Sequence, residues 1–558
     1  MGGTVGSHRQ RTESGGPRPA VFLRVTNAAL WIAATVMIVP LVIGVFGGAF
    51  ARVPEASAAA GAGHDPVVVP VFPLLLNTLL VAGAVGGVAT GIGTMVAWRL
   101  PRRVPAFVIA FGALPLVMPP YLAYAGWGVL RSPGWALGDW IGSRPGASAG
   151  ALSHATGVVM AVLGLALWAW PLAALIVGAS IRRLDADLLT MLDHEARGLG
   201  ARVRLRLRLV APAIAMAALV IGLLVCGSAI PLHLANVPTL AINVWLLLDR
   251  SPPELAWRAH GAAWPLYVGA ALAGWWLGGR AASWGLGERV NAPERRESSR
   301  AAGVVVVIAA VGVSFVAPAV LLIASLRDPR SIGRFWTISA DAVAHGALIA
   351  SITGVLVVLV ALAVAISLGA RGPGRARGGP AVWFARVAIV LGLVPGVLVG
   401  SGLVSGWNRI DPTGVITSSI VIEVLAHLGR FAWIGAIGGC LLVRLEHPSL
   451  RDLRRAEGGG TIGAYARTRL VLDAPILGAI GLGAAFLSVT EIEASVVVSI
   501  PGPGNLARQI LNNLHFARNE ELSAAALWIV GSGLGVVCLV AAMALIRAGL
   551  ERTTPVSP

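Results

Sequence analysis

The stretch "LDHEARGLGARVRLRLRLVAPAI", residues 192–214, lies between two long apolar runs and decides the fold class of this chain. Between Arg202 and Arg208, arginines alternate with valine and leucine. Alternation with a period of two is typical of a strand, but an open strand edge at a membrane face would leave backbone groups without partners. We therefore predict a helix that forms the base of a membrane span, with arginine side chains reaching toward lipid headgroups.

The composition of the whole chain agrees with a membrane protein. The 558 residues are 56% hydrophobic and 12% charged, with a mean hydropathy of +0.79. These values indicate a polytopic membrane protein rather than a series of globular domains. The net charge of +17 does not indicate a nucleic-acid partner, because the arginines fall in short clusters between apolar runs. The cysteines Cys226, Cys440 and Cys538 lie in apolar segments, which predicts core residues rather than disulfides or a zinc site.

Apolar runs long enough to cross a bilayer occur about twelve times, and backbone groups in lipid must pair within a helix. The chain is therefore predicted to be an all-α polytopic membrane protein. The runs lie near 25–50, 74–98, 104–130, 153–180, 209–232, 262–280, 301–325, 342–370, 381–405, 414–443, 470–490 and 521–547.

Arginine placement predicts the orientation of these spans. The arginine-rich connections all fall on one side of the predicted membrane, and the connections on the other side contain fewer arginines. By the positive-inside rule the arginine-rich side is cytoplasmic, and so are both termini. The arginine-rich connections are 99–103, 182–208, 295–300, 371–377 and 444–469.

The opening stretch has a second copy in "LRRAEGGGTIGAYARTRLVLDAPIL", residues 453–477. Gly200 matches Gly463, and an Ala-Pro pair follows at the same spacing in both copies. Each copy precedes the fifth span of a six-span set, which predicts two similar halves with parallel topology. The predicted organisation is a disordered basic tail (1–24), a first half (25–280), a cytoplasmic linker (281–300), a second half (301–547) and a C-terminal tail (548–558).

The two loops at 192–212 and 455–475 resemble the EAA motif of the membrane permeases of ABC importers, and the two halves in one chain resemble the ferric-iron and thiamine type. In that family the loop forms a short coupling helix that docks on the ATP-binding subunit. The resemblance assigns ATPase coupling to residues of both loops. They are His194, Glu195, Ala196, Gly200 and Pro212 in the first loop and Glu457, Gly458, Gly463 and Pro475 in the second.

The residue types in these loops also make a physical prediction. Glycine permits a sharp bend of the backbone, and proline suits the first turn of a helix. We therefore expect Gly200 and Gly463 to bend the chain, and Pro212 and Pro475 to begin the following spans. A loop with arginines alone would satisfy the positive-inside rule, but it would not need the repeated glycine and Ala-Pro pattern.

The resemblance also implies partners. The chain contains no lysine and no GxxxxGK[ST] stretch, so ATP hydrolysis is expected from a separate ATP-binding subunit, a homodimer on the cytoplasmic face, and this chain is not expected to be an enzyme. Permeases of this type receive cargo from a solute-binding protein on the outer face, where loops 131–150 and 499–521 would form the docking surface. The expected location is the inner membrane of a bacterial cell, with neither a cofactor nor nucleic acid as a partner.

Ionisable groups within spans are costly and are candidates for function. In the tenth span Glu423, His427 and Arg430 are spaced by four and three residues, hence on one helical face. This pattern predicts either a polar stripe along the translocation pathway or a Glu423–Arg430 pair that neutralises itself. A metal site on Glu423 and His427 is a weaker alternative, because two ligands are incomplete. His345, near the start of a span, is predicted to be interfacial.

Glu491 and Glu493 lie near the outer end of the eleventh span. The resemblance suggests that at least one of them faces a central cavity. Plain interfacial placement is the alternative.

Three classes of function remain open. The leading expectation is an importer permease for ferric iron or another inorganic ion, with thiamine, a polyamine or another small solute as alternative cargo. A secondary transporter with parallel repeats would need a buried carboxylate relay, and the middle depths of the spans contain almost no charge. A membrane-embedded enzyme would need clustered catalytic groups, for which Asp185, Asp187 and Asp193 are the only candidates.

Overall fold

The computed structural model describes residues 19–50, 69–100, 106–184, 188, 191, 194–195, 198–250, 256–286, 300–370, 379–457, 461–500, 504–516 and 518–553. Most of the predicted N-terminal tail and of the 281–300 linker therefore lies outside the described residues. Within these ranges all regular structure is helical. This confirms the prediction of an all-α chain.

The first part of the chain forms α1 (Pro19–Phe50), α2 (Val71–Arg99), α3 (Ala106–Gly112), α4 (Pro120–Gly128), α5 (Ala136–Gly142), α6 (Gly146–Ile181), α7 (Leu199–Cys226), α8 (Ala229–Leu234), α9 (Leu240–Arg250), α10 (Ala256–Ala262) and α11 (Trp264–Leu286). The second part forms α12 (Arg300–Val311), α13 (Ala317–Ala324), α14 (Arg330–Gly369), α15 (Pro380–Leu393), α16 (Gly396–Ile410), α17 (Ile420–Arg444), α18 (Pro448–Ala456), α19 (Ile462–Thr468), α20 (Leu470–Val489), α21 (Glu493–Val498), α22 (Leu506–His515) and α23 (Asn519–Thr553). A π-helical stretch, Gly312–Val316, joins α12 to α13.

Nine helical segments in the described ranges are long and apolar enough to span a membrane, or ten if one bent pair counts as a span. The protein is thus a multi-pass membrane protein. The nine correspond to nine of the predicted runs. They are Val21–Gly47, Val71–Arg99, Gly146–Ile181, Leu199–Cys226, Gly303–Ala324, Arg330–Gly369, Ile420–Arg444, Leu470–Val489 and Asn519–Leu550.

The predicted spans near 104–130 and 381–405 are not continuous helices. Pro119 separates α4, which begins at Pro120, from the short turns before it, and α15 and α16 meet at Pro395 with a bend of 111°. Proline removes a backbone N–H and its ring clashes with the preceding turn, so a helix breaks there. The run near 262–280 forms α11, whose tryptophans and Arg280 reduce its mean hydropathy, and α11 is not among the nine candidates.

The same helix contacts occur in both parts of the chain. In the first part, α2 packs on α6 and α7, and α6 packs on α7; in the second, α14 packs on α17 and α20, and α17 packs on α20. The first span of each part crosses to the other: α1 packs on α16, and α13, the end of the span that α12 begins, packs on α4. The two parts therefore contact each other beside both breaks, where Gly227 lies against Pro395 and Gly126 lies against Pro318.

The crossing of α1 over α16 depends on glycine. A Cβ on Gly406 would overlap the carbonyl oxygen of Pro40, and a Cβ on Gly44 would overlap that of Gly402. Small residues allow membrane helices to approach this closely, and the contact area then supplies the attraction that lipid cannot.

Candidate functional site

The first of the two repeated loops is described only in part. His194 and Glu195 are helical and exposed, whereas Ala196 lies outside the described residues. The backbone turns at Gly198, which has a φ of +92° and directly precedes α7. The prediction that Gly200 forms this bend was wrong, because the left-handed conformation falls two residues earlier and Gly200 lies in the first turn of α7.

The prediction that the prolines begin the next spans was also wrong. Pro212 and Pro475 both lie inside helices, α7 and α20 respectively. Proline inside a membrane helix is tolerated because neighbouring groups satisfy the freed carbonyl. Each span therefore extends further toward the arginine-rich face than the proline position suggested.

The second loop consists of two short helices, α18 and α19. Glu457 is exposed at the end of α18, and its carboxylate accepts a hydrogen bond from Arg467 Nε at 3.0 Å. Gly458 lies outside the described residues. Gly463 lies inside α19 rather than at a bend, since Thr461 caps that helix by accepting a hydrogen bond from the N–H of Ala464 at 3.0 Å.

Five buried side chains, which we call the loop cluster, hold the second loop in place. They are Glu446, Arg454, Tyr465, Arg469 and Asp473. Arg454 donates to both carboxylate oxygens of Glu446, at 2.8 and 3.0 Å, and Arg469 donates to both of Asp473, at 2.8 and 2.7 Å. Tyr465 Oη donates to Asp473 at 2.5 Å, and Arg469 Nη1 lies 3.6 Å from Glu446.

The loop cluster also reaches the neighbouring spans. Arg454 donates to the carbonyl of Gly369 in α14 at 3.3 Å, and Arg469 donates to that of Leu442 in α17 at 3.2 Å. Such bidentate arginine–carboxylate pairs fix geometry as well as charge. Sequence analysis missed this cluster. Its one local signal is the spacing of four between Arg469 and Asp473.

The loop cluster predicts a pH dependence of stability. Burial alone would raise the pKa of Glu446, but hydrogen bonds and charge from Arg454, with Arg469 and Arg451, outweigh burial and hold this pKa below its ordinary value. The stabilisation is therefore present above the pKa of glutamate in the unfolded chain and is lost as pH falls through the folded-state pKa. Thermal unfolding in detergent should show the melting temperature falling at acidic pH. The Glu446→Gln variant should have a lower melting temperature at neutral pH, and its melting temperature should no longer fall at acidic pH. If the variant shows the same fall at acidic pH as the wild type, the prediction is wrong.

Inside the spans, Glu423 is paired differently from the prediction. Its carboxylate lies 2.8 Å from Nε2 of His345 in α14 and accepts a hydrogen bond from the N–H of Ile500 at 3.2 Å. The predicted Glu423–Arg430 pair was wrong, because seven residues of helix separate the two by about 10 Å along the axis. His345, which was predicted to be interfacial, is the partner of Glu423.

His427 completes a closed polar pocket next to Glu423. Its ring nitrogens lie 2.5 Å from Oγ of Ser488 and 2.9 Å from Oγ of Ser495. Only 2% of Glu423 and 4% of His427 is exposed, and the cavity beside them measures ≈ 30 Å³. The predicted stripe on α17 therefore does not line an open channel at these two residues.

Arg430, one turn further along α17, joins α17 to the break in the neighbouring span. Its Nη1 donates to the carbonyls of Gly392 and Val394, at 3.1 and 2.6 Å, and its Nε lies 3.7 Å from Glu491. These carbonyls end α15 just before Pro395, where the helix can supply no further N–H donors. Arg430 thus caps the broken span and faces a carboxylate.

Glu493 connects the two parts of the chain. One carboxylate oxygen accepts the N–H of Ala229, at the start of α8, at 2.6 Å, and the other accepts the N–H of Gly396, at the start of α16, at 3.3 Å. The approach at Gly396 is close, since a Cβ there would lie 2.9 Å from Cβ of Glu493 and 3.1 Å from the backbone nitrogen of Ala494. Glu493 is a charged acceptor for backbone donors from both parts, which is a strong class of hydrogen bond.

Two cavities lie between the two parts of the chain. The central cavity, ≈ 130 Å³, is lined by Arg430, Glu491 and Glu493 together with Tyr121, Trp168 and Ser228 of the first part. The outer cavity, ≈ 640 Å³, is bordered by His233 and His515, whose rings stack with centroids 6.1 Å apart. Of the five predicted pathway residues, Arg430, Glu491 and Glu493 thus face a cavity that both parts share.

No group of three or more histidine, cysteine, aspartate or glutamate side chains in the described ranges is arranged to hold a metal ion. Glu423 and His427 are separately satisfied by His345 and by two serines. The weaker metal alternative for this pair therefore has no third ligand in the described part of the chain.

Comparison of the chain with protein-family models, with curated proteins and with solved structures finds no match in any of the three.

Proposed function

We propose that this protein is the membrane subunit of an ATP-driven, binding-protein-dependent importer and forms the translocation pathway for a small solute. The observation that carries the proposal is the pair of cavities between the two parts of the chain, a wide outer one and a small polar one at the centre. Ligand sites in membrane transporters lie near the bilayer midplane, at the interface of repeats and beside broken helices. Ferric iron or another inorganic ion is the leading cargo, and thiamine or a polyamine is the alternative.

The repeated helix contacts support the proposal. The two parts have equivalent helix packing, and each has a break in its third span. A transport pathway between two halves that rock against each other requires such an arrangement. On the arginine-rich side, one loop follows α6 and leads to α7 in the first part. The corresponding loop in the second part follows α17 and leads to α20. These loops are where an ATP-binding subunit would push or pull.

The rigid attachment of the second loop supports a mechanical role for it. The loop cluster links α18 and α19 to α14, α17 and α20. A force applied to α18 would therefore reach several spans rather than be absorbed by the loop. The exposed pair Glu457–Arg467 lies on the outside of this attachment, where a partner could dock.

The remaining partners follow from the same proposal. The arginine-rich face would be cytoplasmic, with an ATP-binding homodimer on it, and a solute-binding protein would dock on the opposite face. Exposed aromatic rings occur there, Trp140 and Phe516, beside Arg144 and Arg518. The membrane would be the inner membrane of a bacterium.

A pull-down of the tagged chain from its own cells in mild detergent tests the proposal. An ATP-binding subunit should accompany the wild type, and Glu457→Arg/Gly463→Glu should reduce its recovery at least ten-fold, about 1.4 kcal/mol of binding. The matched control is Asp328→Arg, which reverses an exposed, ion-paired carboxylate on the opposite face and should leave recovery unchanged. If no ATP-binding subunit accompanies the wild type, the importer proposal fails.

A secondary transporter is a second candidate because the second part brings together ionisable groups that lie far apart in the sequence. His345, Glu423, His427 and Glu491 all border one small pocket. Buried ionisable groups of this kind occur in proton relays. Uptake of candidate solutes into proteoliposomes that contain the chain alone, driven by an ion gradient, would favour this candidate, and uptake that needs ATP and a second subunit would exclude it.

A further inference from the structure

The central cavity is lined by two carboxyl groups and one cation, so its fully ionised form would have one excess negative charge. Glu491 and Glu493 both line it, and the nearest cation is Arg430, with Nε 3.7 Å from Glu491. The other titratable group on its wall is the phenol of Tyr121. His427 lies on the far side of Glu491 and is held by Ser488 and Ser495. Two carboxylates that share one desolvated site do not both ionise readily, because like charges there repel strongly.

The cavity is also built to hold water. Three buried donors on its wall, Tyr121 Oη, Trp168 Nε1 and Arg430 Nε, have no hydrogen-bond partner among the described residues. Buried donors without a partner are rare, and a polar cavity of sufficient size normally satisfies them with water. A volume of ≈ 130 Å³ holds roughly four water molecules at about 30 Å³ each. Such waters give a proton a route to the carboxylates.

The excess charge belongs to the second part of the chain alone. At the matching offset of 263 positions, which relates Gly200 to Gly463, Leu167 corresponds to Arg430, Ser228 to Glu491 and Ile230 to Glu493. Symmetry of the repeat therefore does not require these charges. Arg430, Glu491 and Glu493 all line the cavity that the two parts of the chain share.

We propose that the central cavity is a proton-binding site, in which Glu491 and Glu493 hold one proton between them and Arg430 balances the remaining charge. The ligand is a proton delivered through cavity water. With the proton bound, the site is neutral; without it, one negative charge stays buried.

The position of Glu493 gives the proton a structural effect. The ionised carboxylate accepts the N–H groups of Ala229 and Gly396, one from each part of the chain. Hydrogen bonds to an ionised acceptor are roughly twice as strong as those to a neutral one. Proton binding at Glu493 therefore loosens the contact between α8 and α16, and proton release tightens it.

Infrared difference spectroscopy of the full chain in lipid nanodiscs tests the proposal without any transport assay. As pH is lowered stepwise to about 6, well above the range near pH 4 in which exposed carboxylates protonate, the carbonyl stretch of a protonated carboxylic acid should appear. Glu493→Gln and Glu491→Gln should each lose this band, because either substitution leaves one carboxylate matched to Arg430 and removes the excess charge. Asp328→Asn, which alters an exposed carboxylate, should keep the band.

A band that survives in either cavity variant overturns the proposal, because it would then belong to an independent acid such as Glu423. The absence of a band in the wild type across the pH range of the folded protein also overturns it. If one cavity variant fails to fold, the other decides. Since the experiment contains neither ATP nor solute, its outcome is separate from that of the importer proposal.

Discussion

Asp473→Ala is expected to destabilise the folded chain by about 3–5 kcal/mol, the usual cost of leaving a buried partner charge unpaired. Asp473 is fully buried and accepts hydrogen bonds from Arg469 at 2.8 and 2.7 Å and from Tyr465 at 2.5 Å. Arg547 of α23 lies 3.5 Å away. Alanine would leave the buried Arg469 guanidinium with the carbonyl of Leu442 and, as its nearest remaining carboxylate, Glu446 at 3.6 Å. The loop between α17 and α20 would then separate from the spans.

The measurement is the yield of monodisperse protein in detergent and its melting temperature. Glu457→Ala is the matched control, since it removes the carboxylate of the exposed Glu457–Arg467 ion pair in the same loop. Exposed pairs contribute about 0–1 kcal/mol, so its melting temperature should stay near that of the wild type. Equal melting temperatures for both variants would mean that the loop cluster does not hold the loop. Arg469→Met combined with Asp473→Leu should recover stability, because an apolar pair of similar size leaves no unpaired charge.

Features produced by interactions between residues close in the sequence could be predicted from the sequence, whereas features produced by contacts between distant helices could not. Apolar runs report helices directly, because lipid forces backbone groups to pair locally, and nine predicted spans were found on that basis. The same rule failed at Pro119 and Pro395, where neighbouring helices supply the missing hydrogen bonds and a broken span becomes tolerable. Arg430 supplies two of them from α17. No local pattern contains that contact.

The candidate site shows the same limit. Periodicity placed Glu423, His427 and Arg430 on one face of α17, but it could suggest only a stripe along that face or a pair within the helix. The partners come from elsewhere: His345 lies 78 residues before Glu423, and Glu491 lies 61 residues after Arg430. The repeat predicted two equivalent loops, but the glycine and proline roles assigned from the motif did not match the backbone. The positive φ at Gly198 and the interior positions of Pro212 and Pro475 depend on where each helix starts.

Arg430→Met is expected to be as damaging as the loss of Asp473, about 3–5 kcal/mol, because Arg430 has two separate functions. It donates to the carbonyls of Gly392 and Val394, which lose their helical donors at Pro395. It is also the cation nearest to Glu491. Methionine would leave these carbonyls unsatisfied and a carboxylate buried without compensation. Melting temperature and monodispersity in detergent provide the measurement.

Two further variants separate the functions of Arg430. Arg430→Met/Glu491→Gln removes the uncompensated charge but leaves the carbonyls unsatisfied, so it should recover only part of the lost stability. Arg430→Lys keeps the charge, but a single ammonium cannot reproduce the planar geometry of a guanidinium, so it too should be intermediate. Neighbours of this kind are not additive, and the double-mutant cycle measures their coupling directly. A double variant no more stable than Arg430→Met would show that Arg430 does not balance Glu491. In that case Arg430 would not balance the charge of a proton-sharing pair of Glu491 and Glu493. Its hydrogen bonds to the end of α15 would then be the whole reason for an arginine at position 430.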